Sequence, residues 1–307
     1  MTDSGWRVAE AFAPAHVTGV FAPAVAARDP RARGSTGAGI VLAVGVHARA
    51  RFRPGGQRRV DVACDLGVPL PISKEVARRL CPEERGTLSV RLTHQVPIGQ
   101  GFGTSAAGAA ATALAVGTLS GTSWERMIEV AHLADLFGGG GLGGVASIVG
   151  GGGLEFRIRG GIPPHGRAVH RPLLGTVLVG VVGDPLPTAR LLRDPRFLAR
   201  VGAASGGLEE LLHRPDESRF FEVSQRFTDR MGLTSRTLTR TLTALRRRGA
   251  WAAQAMFGRS FFARPRSRES RREVVRWLGA AGVPVVEMAA ARTGARVLAD
   301  GRRERRR

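Results

Sequence analysis

Apolar and polar positions along the first third of the chain suit extended structure. The segments WRVAEAFAPAHVTGVF, GAGIVLAVGVHARARFR, RRVDVACDL and GTLSVRLTHQVPIG mix strict alternation with short apolar runs, so each predicts a β-strand. The period then changes. From Thr104 to about Leu119 small residues run without a charge, which predicts a buried helix. SWERMIEVAHLADLF predicts a second helix, with Ser123 as its N-cap. Glycine-dense passages at Gly138–Gly144 and Gly150–Gly153 lead into the strand-like LEFRIR. GIPPHGRAVHRP is a Pro/Gly connection and the expected domain boundary, giving one domain at 1–165 and a second at 166–307. Beyond it GTVLVGVVG predicts a buried strand, and RFLARVGAASGGLEELLH and SRFFEVSQRFTDRMG predict helices. REVVRWLGAAGVPVVEMA reads as helix then strand, GARVLAD as a strand, and the basic tail GRRERRR as a frayed end. No repeat period is present, and strands followed by a helix-and-sheet half predict an α+β protein.

Charge alters this picture less than its size suggests. The 307 residues carry 46 basic against 25 acidic side chains, a formal charge of +21. Lys74 is the only lysine, and tyrosine is absent. A binding surface gains nothing from losing its lysines, so the skew fits an arginine-favouring genome, and no specific nucleic acid is expected. Cys64 and Cys81 form no metal or redox motif, which leaves a reduced cytoplasmic setting as the expectation. MTDSGWRVAE lacks a basic stretch followed by an apolar one, so no signal peptide is expected. Residues 97–124 are uncharged but mostly Gly, Ala, Ser and Thr, too weakly apolar for a membrane span.

The chemistry concentrates in PIGQGFGTSAAGAAATALAVG, from Pro97 to Gly117. A strand feeding a glycine loop that feeds a helix presents unpaired backbone N–H groups to an anion, and the helix dipole adds positive character. Glycine supplies positive φ and keeps Cβ atoms away from phosphate oxygens. Glycine–alanine helices also serve close packing alone, so both uses stand open from the residues. A Walker loop needs a lysine that is missing here, and G-x-G-x-G without a later acidic partner poorly supports a dinucleotide fold.

The remaining form, P-x-G-x-G-[LF]-G-[ST]-S-A, resembles the second motif of the GHMP kinases, the galactose, homoserine, mevalonate and phosphomevalonate kinases. AFAPAHVTGVF is similar to the opening of archaeal pantoate kinases, where a Pro-x-His-x-Thr-Gly turn faces the acceptor. RGSTGAGIVL, AHLADLFGGGGLGGVASIVGGGGLEFRI and AAQAMFGRSFFA resemble further segments of the same enzymes, in unchanged order from about Ala11 to Ala299. The resemblance implies a two-domain fold, an ATP-loop α/β domain followed by a ferredoxin-like domain. It implies transfer of the γ-phosphoryl of ATP to the primary hydroxyl of pantoate in coenzyme A biosynthesis, with Mg²⁺ as the metal, and it leaves room for a homodimer. Carried over by motif, Pro97, Gly99, Gly101, Phe102, Gly103, Thr104, Ser105 and Ala106 would hold ATP. Thr104, Ser105 and Asp135 would be catalytic, with Ser105 and Asp135 at the metal, and His16, Thr18, Gly19, Ser35 and Gly258 would face the acceptor. Arg159 is a candidate for the acceptor carboxylate.

Three positions depart from that pattern. Ala15 stands for a glycine, Thr36 for an arginine, and Gly144 in GLGGV for an aspartate suited to receive the hydroxyl proton. Loss of a general base removes a factor of about 10²–10⁴, although phosphoryl transfer proceeds largely by positioning and charge neutralisation. Related homoserine kinases work without that base. A homoserine- or mevalonate-like acceptor, or an impaired kinase, is therefore an alternative. A different class of function is suggested by SQRFTDRMGLTSRTLTRTLTALRRRGA, which has a helix-turn-helix outline. There Thr234 would cap a recognition helix presenting Ser235, Arg236 and Thr239. A helix pair inside the kinase's second domain accounts for the same segment.

Overall fold

Two long strands organise the molecule. The computed structural model describes residues 5–186 and 188–299, so the arginine-rich tail read as a frayed end lies outside the described residues. β1 (Arg7–Ala24) and β2 (Gly34–Pro54) pair antiparallel along almost their whole length. β2 then divides its other edge. Val46–Pro54 pairs with β4 (Gly86–His94), which runs parallel to β3 (Arg59–Cys64), while Gly37–Val41 pairs with β5 (Gly153–Arg159). β6 (Arg167–Arg171) adds to β5, and the last strand, β11 (Arg296–Ala299), adds to the free edge of β1.

Helices cover one face of this sheet. α1 (Pro71–Leu80), between β3 and β4, was not evident in the sequence. α2 (Thr104–Ser120) and α3 (Trp124–Gly138), capped by Ser123, match expectation, and α4 (Gly144–Val149) follows the first glycine passage. α2 is buried on nearly every side, as an evenly apolar helix must be. Its small residues let neighbours approach closely. A Cβ on Gly117 would stand 2.5 Å from Met127 Cγ of α3.

The second sheet is built from β7 (Thr176–Val181), β8 (Ala250–Gln254), β9 (Ser260–Pro265) and β10 (Val285–Ala289), in the order β10-β7-β9-β8. With every pair antiparallel, that is the β-α-β-β-α-β arrangement of a ferredoxin-like unit. Between β7 and β8 lie α5 (Thr188–Leu191), α6 (Pro195–Ala204), α7 (Leu208–His213), α8 (Glu217–Met231) and α9 (Arg236–Arg247). α10 (Arg268–Ala280) joins β9 to β10, and β11 (Arg296–Ala299) returns to the first sheet. The boundary expected at residue 165 falls between the paired strands β5 and β6. By sheet membership the chain changes layer after Arg171 instead.

The helix-turn-helix outline also resolves. α8 and α9 are present, joined through Gly232, but the cap of α9 is Ser235, whose hydroxyl accepts from Leu238 N, not Thr234. Leu238, Leu242 and Leu245 are buried in the core of the second sheet. Arg246 bonds Asp229 and the Ala252 carbonyl, while Arg248 stacks on Trp277. Among the described residues, no helix is long and apolar enough to cross a membrane.

Candidate active site

The loop before α2 reverses on three glycines with positive φ: 76° at Gly99, 79° at Gly101 and 62° at Gly103. At Gly101 a Cβ would also meet the Ala255 carbonyl oxygen at 2.6 Å, so glycine is required there twice over. Both sheets clamp the loop. His16 N–H of β1 donates to Phe102 O at 3.0 Å. The buried Gln100 amide donates to Gly183 O at 2.8 Å, and its oxygen accepts from Arg259 N at 3.2 Å. The Ser260 hydroxyl donates to Gln100 O. No side chain caps α2, whose first amides therefore remain available to an anion.

In the first turn of α2, the Ser105 hydroxyl donates to Asp135 Oδ1 of α3 at 2.6 Å. Asp135 is 2% exposed. Burial pushes its carboxyl up to about 6, against the pull of the Ser105 bond. Gly140 closes over the pair, and a Cβ there would meet both oxygens at 2.0 Å. A buried carboxylate with a single hydroxyl partner is an arrangement short of positive charge.

The opposite wall holds a charged cluster. His16 sits within β1, the strand expected over this segment, between two register shifts, at Pro14/His16 and Thr18/Val20, where the resemblance implied a turn. These bulges re-aim the side chains beside the loop. His16 Nε2–H donates to Glu155 Oε2 at 3.1 Å, and the Thr18 hydroxyl lies 3.4 Å from His16 Nδ1. Arg157 Nη1 donates to the same Glu155 oxygen at 2.7 Å and to Ser147 Oγ. Burial alone would raise the Glu155 carboxyl, but Arg157 and the His16 bond outweigh it and hold it below the usual range. Burial holds the His16 imidazole below its ordinary value despite Glu155. Arg157 Nε has no partner among the described residues.

Both walls open on one cavity of about 340 Å³, a size suited to a small ligand. His16, Thr18, Ser35, Gly99, Gly101, Phe102, Gly103, Thr104, Ser105, Ala106, Asp135 and Arg157 all line it. Four expected residues do not. Pro97 is exposed beside the loop, Gly19 packs on Phe220 and Ser224 of α8, and Gly258 packs on the Gln100 backbone. The arginine at the cavity is Arg157 rather than Arg159, which is exposed and bonds the Pro164 carbonyl. Glu155 and Arg157 were missed because Leu154-Glu155-Phe156-Arg157 alternates like a strand with a solvent face. The detectable signal was the pairing of opposite charges two residues apart on that face. Gly144, lacking the aspartate, begins α4, and a Cβ there would stand 2.5 Å from Ala106 Cβ.

Known proteins are similar to this chain in sequence and in fold. The GHMP kinases N terminal domain family matches residues 72–152, which include the loop, Ser105 and Asp135. A pantoate kinase of Thermococcus kodakarensis is 34% identical over 230 residues, covering 73% of this chain and 76% of that protein. A pantoate kinase of Methanospirillum hungatei is 27% identical, covering 82% and 86%. A solved structure described as a phosphotransferase related to the CoA biosynthesis pathway superposes with a TM-score of 0.83 at 28% identity, over 94% of this chain and 98% of its own. The chain belongs to the pantoate kinase family of the GHMP kinases.

Proposed function

We propose that this chain transfers the γ-phosphoryl of ATP to the primary hydroxyl of pantoate, forming 4-phosphopantoate for coenzyme A synthesis. The observation that carries it is a single cavity with two unlike walls, one suited to triphosphate and metal, the other to a hydroxy acid. The amides of the loop and of the first turn of α2 would stabilise the charge that spreads over the transferring group. Ser105 and Asp135 offer hard oxygen donors 2.6 Å apart, a set that fits Mg²⁺ with water and phosphate completing its shell. When bound, that ion neutralises charge on the phosphates.

On the other wall, Arg157 brings positive charge for a carboxylate, and His16, Thr18 and Ser35 offer polar contacts. Leu142, Met256 and Phe257 supply apolar lining that suits the dimethyl carbon of pantoate and excludes water. Among the cavity-lining residues, no carboxylate other than Asp135 is present to receive the ammonium group of an amino acid acceptor, which favours pantoate over homoserine.

The test is ADP release measured with ATP, Mg²⁺ and a panel of small hydroxy acids. Release is expected only when all three components are present, with pantoate the best acceptor. Release with none of them would refute the assignment.

A further inference from the structure

Gly144 leaves the kinase without a carboxylate where one could take the acceptor's proton, yet a second proton acceptor already lines the cavity. We propose that His16, fixed by Glu155, is the general base of this enzyme and receives the acceptor hydroxyl proton at Nδ1. The inference rests on the kinase reading and adds the residue that makes it work without an aspartate.

The geometry has three parts. First, the tautomer is set. Glu155 is fully buried and ionised beside Arg157, so it takes the Nε2–H of His16 at 3.1 Å and leaves Nδ1 with its lone pair. Second, Nδ1 already faces a hydroxyl, Thr18 Oγ1 at 3.4 Å, and both residues line the cavity. A hydroxyl–imidazole–carboxylate line is the constellation that activates an alcohol oxygen. Third, the ring is held beside the phosphate loop. A Cβ on Gly103 would lie 3.2 Å from the His16 carbonyl oxygen, and a Cβ on Gly39 would lie 2.2 Å from Nε2, so β2 is hollowed to admit the imidazole.

The surrounding charges agree with a neutral ring at rest. Glu155 and Arg157 of β5 and His170 of β6 are the titratable groups acting on it, and burial keeps the imidazole unprotonated at neutral pH. In the step itself, the acceptor oxygen bonds to the γ-phosphorus and the bond from that phosphorus to the β–γ bridging oxygen breaks. The hydroxyl proton passes to Nδ1, and ADP departs. The imidazolium, stabilised by Glu155, releases its proton to water when product leaves.

Two variants test this. His16→Gln keeps a donor for Glu155 but cannot accept a proton. It should lower kcat about 10²- to 10³-fold. Its affinity for an ATP analogue should stay within about threefold, and its KM for pantoate should change far less than its kcat. Glu155→Gln keeps the imidazole but removes the charge that raises its basicity, so the acid limb of kcat against pH should move to lower pH. A His16→Gln enzyme within about threefold of wild-type kcat would overturn the proposal. So would a wild-type kcat flat across the acidic range, or an acid limb that Glu155→Gln leaves unmoved, which would belong to Asp135. These failures differ from failure of the kinase reading, which is a wild-type protein that transfers to no hydroxy acid and removes both. If another hydroxy acid proves the true acceptor, the same variants decide the question with it.

Discussion

Asp135→Asn separates the charge of the site from its shape. In the wild-type protein burial raises this carboxyl from 3.8 to about 6. The fold therefore favours the protonated form, and the associated stability is fully present below 3.8 and lost as pH rises through about 6. A shift of about two units corresponds to about 3 kcal/mol at pH 8, and about half of that is lost between pH 5 and pH 8. Asparagine has the same outline, retains an oxygen for the Ser105 hydroxyl, and never ionises. In chelator, the thermal midpoint of Asp135→Asn should thus exceed that of wild type by a margin that widens by about 3 °C from pH 5 to pH 8. Adding Mg²⁺ at pH 8 should stabilise wild type and leave the variant unchanged, while the variant loses nearly all pantoate-dependent ADP release. A margin that stays constant between pH 5 and pH 8 would mean that the carboxyl titrates normally, and the account of a charge-deficient pocket would fail.

Gly101→Ala forces an alanine to φ near +79° against the Ala255 carbonyl, a strain of about 1–2 kcal/mol before the loop shifts, and nucleotide titration should show affinity at least about tenfold weaker. Arg157→Lys removes the planar fork beside Glu155, and the KM for pantoate should rise about tenfold or more with that for ATP little changed, as initial rates will show. Gly144→Asp alone should not raise the rate, since its Cβ meets Ala106 Cβ at 2.5 Å; a melting curve should show about 1–3 kcal/mol of destabilisation. Ser235→Ala should cost about 1 kcal/mol in denaturant unfolding by uncapping α9, with kcat unaltered.

The parts of this enzyme legible in its sequence are those governed by short-range pattern. Alternation marked β1 to β5, and the glycine loop announced the uncapped start of α2. The motif match set Ser105 and Asp135 together, thirty residues apart in sequence, and they meet directly. What escaped depends on which neighbours cover a face. Glu155 and Arg157 occupy positions that a strand normally turns to water, but here they are buried against His16 of β1 and Ser147 of α4. Gly19 and Gly258 sit inside segments that match the family, yet they serve packing, because a motif records that a small residue is needed without recording whether substrate or protein fills the space. α1 was hidden because PISKEVARRL is short and its burial comes from α2 and α3, which its own residues do not reveal.

The return of β11 to β1, through Glu10↔Ala299 and its neighbours, has a consequence for biosynthesis. During translation β1 keeps one backbone edge open until the segment that forms β11 has been made. The amino-terminal layer cannot finish assembling as an early, independent step, and a nascent chain stalled before residue 296 would present that edge to other chains.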